Sequence, residues 1–115
     1  MNHILDYPPV TTELLNEVVA RVLSVGSPSK IILFGSRARD DARPDSDLDL
    51  LIVEEYSALP RYKRSTPYRM ALLGLYPSKD ISVWTKDEIQ EWSEVANAFI
   101  TTILREGKIL YEKRR

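Results

Sequence analysis

Two aspartates at the start of a strand-like segment are the residues whose type and spacing most clearly could do chemistry. Asp47 and Asp49 open a run, Asp47-Leu48-Asp49-Leu50-Leu51-Ile52-Val53, that alternates polar and apolar residues before it becomes wholly apolar. Alternate residues of a strand share one face, so the two carboxylates are predicted to point the same way, about 7 Å apart along the backbone. The opposite, core-packed face then carries Leu48, Leu50 and Ile52. Taken alone, an Asp-x-Asp pair is more typical of a strand start that faces water.

A third carboxylate, Asp80, opens the alternating segment Asp80 to Trp84, which predicts another strand. If this strand lies beside the first, Asp80 joins Asp47 and Asp49. Two carboxylates about 5 Å apart repel by roughly 3 kcal/mol at an effective dielectric near 20, so the cluster needs either a proton or a cation. Because the chain has no cysteine and a single histidine, its oxygen ligands favour Mg²⁺ or Mn²⁺ over zinc or copper.

A glycine-serine pair follows the apolar run Lys30 to Phe34, which is predicted to be a buried strand. Ten residues separate Ser36 from Asp47. A strand that ends in Gly35-Ser36 and turns into a helix exposes backbone N–H groups to an anion, and glycine lets a phosphate approach closely. The serine hydroxyl can donate to a phosphate oxygen. Nearby basic residues that could assist are Arg37, Arg39 and Arg43.

The elements that must position these residues alternate between helix and strand. Leu15, Val18, Val19, Val22 and Leu23 form a helical stripe, with Thr12 as a predicted cap and Gly26 and Pro28 as stop signals. Pro67 is predicted to start a helix that runs to about Leu75. Thr85-Lys86-Asp87-Glu88 is predicted to be a capping box that opens a helix through Trp92. A last helix should place Val95, Phe99, Ile103 and Leu104 on one side and end at a left-handed Gly107, before an edge strand, Lys108 to Tyr111.

These elements predict an α/β (α+β) fold with a mixed sheet of three to four strands flanked by helices, in one domain spanning residues 1–115. The composition is 43% hydrophobic and 29% charged, with a net charge of -1. This balance disfavours a protein that binds nucleic acid mainly through its phosphates. No apolar run is long enough to span a membrane, and the N-terminus does not resemble a signal peptide, so a cytoplasmic protein is predicted.

Several further residues have weaker claims to function. Tyr62 and Tyr68 lie among basic residues in a segment that could contact a triphosphate or an acidic partner, although a solvated helix face is the ordinary interpretation. Trp84 shares a predicted face with Asp80 and could border a base pocket, but a core position is more typical. His3 is expected at the surface. The basic residues of this segment are Arg61, Lys63, Arg64 and Arg69.

Together, Phe34-Gly35-Ser36-Arg37-Ala38-Arg39 and Pro44-Asp45-Ser46-Asp47-Leu48-Asp49-Leu50 resemble the G-S-x10-D-x-D signature of the DNA polymerase beta-like nucleotidyltransferases. Nearly the whole chain resembles their minimal nucleotidyltransferase (MNT) family, small proteins paired with HEPN toxins in toxin–antitoxin modules. One departure is Asp40-Asp41, which stands where the family commonly has a glycine or small residue.

The resemblance implies transfer of NMP, with ATP as the expected substrate. Gly35 and Ser36, assisted by Arg37 and Arg39, would bind the nucleotide. The three aspartates, Asp47, Asp49 and Asp80, would be the catalytic residues and the ligands of two Mg²⁺ ions, with Mn²⁺ as the alternative. Such a pair of ions suits an in-line displacement at phosphorus.

The resemblance also implies a partner. Since the nucleotide site would occupy the whole chain, the acceptor is expected on another protein, a tyrosine hydroxyl of a HEPN-family toxin, which makes this chain an antitoxin. One alternative is an antitoxin that neutralises the toxin by binding alone. Another is nucleotide transfer to a small molecule such as an aminoglycoside. Self-association of the chain without a partner stays open.

Overall fold

The computed structural model describes residues 8–94 and 99–114, which form a sheet with helices on both faces. The strands are β1 (Lys30–Phe34), β2 (Leu48–Glu54), β3 (Lys79–Thr85) and β4 (Lys108–Glu112). The helices are α1 (Thr12–Val25), α2 (Ser36–Arg39), α3 (Arg61–Arg64), α4 (Thr66–Ala71), α5 (Lys86–Ser93) and α6 (Phe99–Glu106). Among the described residues, no helix combines the length and the apolar character needed to cross a bilayer.

The four strands lie in the order β3-β2-β1-β4. Strand β1 pairs antiparallel with both β2 and β4, whereas β2 and β3 are parallel. A parallel pair needs a crossover, and residues 55–78, with α3 and α4, supply it. The predicted mixed α/β sheet is confirmed, and β4 is the edge strand that the sequence predicted.

One face of the sheet carries the larger core. Alternate residues of each strand point there, including the predicted inward set from β2, and α1 and α4 cover them. The buried members from the strands and these two helices are Val18, Val22, Ile31, Leu33, Leu48, Leu50, Ile52, Tyr68, Leu72, Ile81 and Val83.

The other face is divided along its length. Toward the end of β2, Leu51 and Val53 pack with Ile100 and Ile103 of α6, which explains why the second half of β2 is apolar on both faces. Toward the start of β2, the same face carries Asp49, and the neighbouring strand brings Asp80. The face that bears the carboxylates is therefore also a core face farther along.

Some predicted boundaries are wrong in detail. Thr11, not Thr12, caps α1, because the Thr11 side chain accepts a hydrogen bond from the N–H of Leu14. The helix predicted to run to Leu75 ends at Ala71. Gly107 is not left-handed; instead, a methyl group on it would lie 2.5 Å from Ile32 Cγ2, so close packing requires the glycine. Val95 lies outside the described residues.

Candidate active site

Gly35 and Asp49 meet where β1 ends and β2 begins. Phe34 pairs with Asp49 in the antiparallel register, so the residue after Phe34 arrives beside that carboxylate. Gly35 has a φ of 73°, in the left-handed region that favours glycine. A methyl group on its Cα would overlap the Asp49 carboxylate. The glycine-serine turn therefore lies against Asp49, one of the two aspartates of the predicted pair.

The turn after Gly35 is the short helix α2. The Gly35 carbonyl accepts hydrogen bonds from the N–H groups of Ala38 and Arg39, at 3.0 and 3.1 Å. Ser36 is the first residue of this helix and is half-buried. Asp40 ends it with a φ of 61°, so an aspartate takes the left-handed conformation at this position. Aspartate is among the residues that tolerate this conformation best.

Asp49 and Asp80 are direct partners in the parallel register of β2 and β3. Adjacent strands lie about 4.8 Å apart, which sets the scale of the separation between the two residues. Burial raises the pKa of Asp49, and the charges of Asp80 and Asp47 raise it further, while Arg39 opposes them. The charges of Asp47 and Asp80 therefore act on Asp49, although both of these side chains are exposed.

Asp47 is oriented by a residue that the sequence analysis did not single out. The hydroxyl of Ser78 donates a hydrogen bond to Asp47 Oδ1. The Ser78 carbonyl also accepts from the N–H of Leu48, at 3.0 Å, which ties the segment before β3 to the start of β2. In the sequence, the only signal for Ser78 was its position two residues before Asp80. The strand register that brings Ser78 to Asp47 is a tertiary property.

The donor chemistry of this site suits a hard divalent cation. Asp49 and Asp80 supply carboxylate oxygens from adjacent strands, and a bound cation would relieve the repulsion that raises the pKa of Asp49. Within residues 8–94 and 99–114, however, no three carboxylate or histidine side chains are already arranged as a ligand set. The Asp47 carboxylate is engaged with Ser78. Binding a metal with all three aspartates would thus require side-chain adjustment.

The two arginines of α2 differ in their surroundings. Arg37 donates to the backbone carbonyls of Ser46 and Pro44, at 2.8 and 3.3 Å, and so holds the connector before β2. Arg39 is close enough to Asp49 to lower its pKa, and it pairs with Asp41 at 3.2 Å. Of the two, Arg39 acts on the carboxylate cluster, whereas Arg37 organises the loop that leads to it.

Two side chains of the basic segment after residue 60 are buried, and its other basic residues are exposed. Arg64 is buried and donates to Glu88 Oε1 at 2.7 Å, and the buried Tyr68 hydroxyl donates to Glu54 Oε2 at 2.6 Å.

Trp84 is half-buried against the α6 side of the core, and the Arg61 guanidinium lies 4.2 Å from its ring centroid. The ordinary core interpretation of Trp84 therefore fits its packing. His3 lies outside the described residues.

Comparison with known proteins agrees with this geometry. The profile of the family described as "Polymerase beta, Nucleotidyltransferase" matches residues 17–115. The chain belongs to this nucleotidyltransferase family. No curated protein matches it in sequence.

Two solved structures share the nucleotidyltransferase fold. A candidate nucleotidyltransferase from Sulfolobus solfataricus is 18% identical with a TM-score of 0.66, over 98% of this chain and 90% of that one. A structure described as a toxin–antitoxin with AMP-PNP is 16% identical with a TM-score of 0.62, over 87% of this chain and 74% of that one. At these identities the likeness concerns the fold alone.

Proposed function

We propose that this nucleotidyltransferase-family chain transfers AMP from ATP to a hydroxyl group on a partner protein. Gly35 and Ser36 would receive the triphosphate, with Arg39 adding positive charge beside it. Asp47, Asp49 and Asp80 would hold Mg²⁺, which supplies charge neutralisation and orientation at the phosphates when bound. Arg37 would act indirectly, by fixing the connector before β2 through its hydrogen bonds to the carbonyls of Ser46 and Pro44.

In the proposed reaction the acceptor oxygen attacks the α-phosphorus of ATP. A new O–P bond forms, the bond from the α-phosphorus to the oxygen bridging to the β-phosphate breaks, and pyrophosphate leaves. The hydroxyl proton passes to a carboxylate, a role we assign to Asp80, since this exposed side chain stands at the start of an edge strand. The proposed location of this reaction is the cytoplasm, where ATP is supplied.

One observation carries this proposal more than any other. Asp49 has Gly35 against its carboxylate and Asp80 as its register partner. The turn that we propose to bind phosphate and the acidic pair therefore meet at Asp49. Core packing does not account for two carboxylates set side by side on adjacent strands, because their repulsion opposes folding. A bound cation and nucleotide would compensate for it.

The acceptor we propose is a tyrosine hydroxyl of a HEPN-family toxin, which would make this chain an antitoxin. Support comes from the sequence resemblance and from the fold shared with a protein described as a toxin–antitoxin with AMP-PNP. An AMP group on the toxin would add negative charge and bulk to the modified surface.

Mass spectrometry tests the transfer directly. The purified chain is incubated with ATP, Mg²⁺ and the small protein encoded beside it, and the partner is then weighed. We expect the mass of the partner to increase by one or more AMP groups. The Asp49→Asn variant should abolish the adduct, whereas Asp45→Asn, which changes an exposed aspartate of the same connector, should not. A complex that forms without any adduct would contradict the transfer.

A double variant separates transfer from neutralisation by binding alone. If the Asp47→Asn/Asp49→Asn double variant still silences the toxin in cells at normal abundance, binding is the operative activity. We expect silencing to be lost while the complex persists.

A further inference from the structure

A groove lies between α4 and the start of β3, with a volume of about 210 Å³. Leu72 and Ile81 form its buried floor, and Leu75 is half-buried at its side. Leu73 stands at the rim with 69% of its surface exposed. The groove is thus an apolar depression with an exposed leucine at its mouth.

The charged groups that line this groove are both positive. Within residues 8–94 and 99–114, neither Arg69 nor Lys79 has a carboxylate partner. The ammonium group of Lys79 donates to the backbone carbonyl of Leu75. Arg21 reaches the carbonyl of Leu73 at 3.2 Å, but it is already paired with Glu17 at 2.9 Å.

Two cationic side chains without a carboxylate partner in the described part of the chain favour an added negative charge in this groove. Lys79 is half-buried there, so water would only partly screen its attraction for an incoming carboxylate. Arg69, which is exposed, presents a planar guanidinium suited to bidentate contact with a carboxylate.

We infer that this groove docks a segment of a partner protein in which a leucine-like side chain is flanked by an acidic one. The apolar side chain would fill the space above Leu72 and Ile81, and the carboxylate would pair with Arg69 and Lys79. Ser78, which contacts Asp47, also lines the groove, so a docked partner would lie at the end of the sheet where β2 and β3 begin, on the face opposite Asp49 and Asp80. The inference rests on the proposed function only in that this function requires a partner protein near this end of the sheet.

Peptide binding tests the groove without nucleotide or metal. The probe is a fluorescein-labelled peptide, Gly-Glu-Leu-Leu-Glu-Gly, titrated into the chain while anisotropy and backbone amide chemical shifts are followed. We expect saturable binding and shifts of the Leu73 and Lys79 amides. Control peptides, one with both glutamates changed to lysine and one with both leucines changed to serine, should bind at least tenfold more weakly.

Matched substitutions on the chain distinguish binding in the groove from non-specific electrostatic or hydrophobic binding. Arg69→Glu and Leu73→Ser should each weaken binding of the acidic peptide about tenfold or more, which corresponds to about 1.4 kcal/mol. Lys63→Glu and Met70→Ser change an exposed cation and an exposed apolar residue that do not line the groove, and they should leave binding unchanged.

Several results would overturn the inference. These are equal binding of the lysine peptide, indifference to Arg69→Glu and Leu73→Ser, or no amide shifts at millimolar peptide. Displacement of the peptide by ATP alone would instead indicate a phosphate site, and a dimer that Leu73→Ser dissociates would indicate a second copy as the occupant. Because Asp49→Asn should not affect peptide binding, failure here is distinguishable from failure of the proposed transfer.

Discussion

At the scale of single residues, Gly35 and Gly74 offer a matched comparison. Both have a positive φ, 73° and 86°, but a methyl group on Gly35 would overlap Asp49, whereas one on Gly74 would meet nothing within 4 Å. Gly74→Ala should therefore cost only the left-handed strain, about 1 kcal/mol of unfolding free energy. Gly35→Ala should cost roughly 1–3 kcal/mol more, since the carboxylate or the turn must shift.

Urea unfolding and titration with ATP and Mg²⁺ would check this difference. We expect Gly74→Ala to bind nucleotide normally and Gly35→Ala to bind it poorly. Equal destabilisation by the two substitutions would show that Asp49 does not restrict the turn.

Ser78 is the second residue whose role can be isolated. Its hydroxyl donates to Asp47 Oδ1 and is on the surface, so Ser78→Ala should change the melting temperature little. We expect its main effect to be on the affinity for divalent cations, measured with Mn²⁺ by calorimetry, which should change severalfold. Ser78→Thr retains a hydroxyl and should restore the original affinity. Ser24→Ala, which removes an exposed hydroxyl from α1, is the control. An unchanged Mn²⁺ affinity in Ser78→Ala would contradict this role.

At the scale of elements, Glu88 joins α5 to the crossover helices. Its Oε1 accepts from the N–H of Thr85 at 2.9 Å, which completes the predicted capping box, and from Arg64 at 2.7 Å. Burial by itself raises the pKa of Glu88, but the bonds from Arg64 and Thr85 and the charges of Arg64 and Arg61 outweigh it and lower the pKa to about 2.

This pKa predicts a pH-dependent stability. Because the folded value lies below the ordinary 4.5, ionised Glu88 stabilises the fold above pH 4.5, and that contribution disappears as the pH falls toward 2. Glu88→Gln should therefore lower the free energy of unfolding by about 1–2 kcal/mol at pH 7 and by almost nothing near pH 2. Urea unfolding at several pH values would measure it. Glu91→Gln, on the same helix but exposed, should show no such trend. A loss of unfolding free energy that does not vary with pH would contradict a stabilising role for the Glu88 charge.

The element scale also shows what the sequence could and could not predict. A continuous apolar run located β1 at its observed bounds, and the capping box located the start of α5, because both signals are local. The sequence did not reveal that Arg64 and Tyr68 are buried, since their acidic partners lie 24 and 14 residues away along the chain. The role of α6 in covering the second face, and the contact of Ser78 with Asp47, depend likewise on tertiary register.

At the scale of the whole molecule, the candidate site opposes the stability of the fold that contains it. Burial and the charges of Asp80 and Asp47 raise the pKa of Asp49, so its ionised form is disfavoured in the folded state. Asp49→Asn should therefore raise the unfolding free energy at pH 7 modestly, since water screens this only partly buried group, while abolishing transfer. Thermal unfolding would measure the gain, with Asp45→Asn as the control.

Magnesium provides an independent check of the same balance. Adding it should stabilise the original chain by mass action and leave Asp49→Asn nearly unaffected. An Asp49→Asn variant that is less stable than the original chain at pH 7 would show that the carboxylate contributes favourable contacts instead.

The pairing of Asp49 with Asp80 makes the site sensitive to slippage between β2 and β3. Because neighbouring residues of a strand point to opposite sides, a shift by one position would turn the acidic group of Asp80 into the apolar layer formed with α1 and α4. One residue inserted between Lys79 and Asp80 would thus either bury the Asp80 charge or force a bulge in β3. An insertion in the largely exposed loop of residues 55–59 would leave this register intact, whereas the stretch from Ser78 to Asp80 has no such latitude.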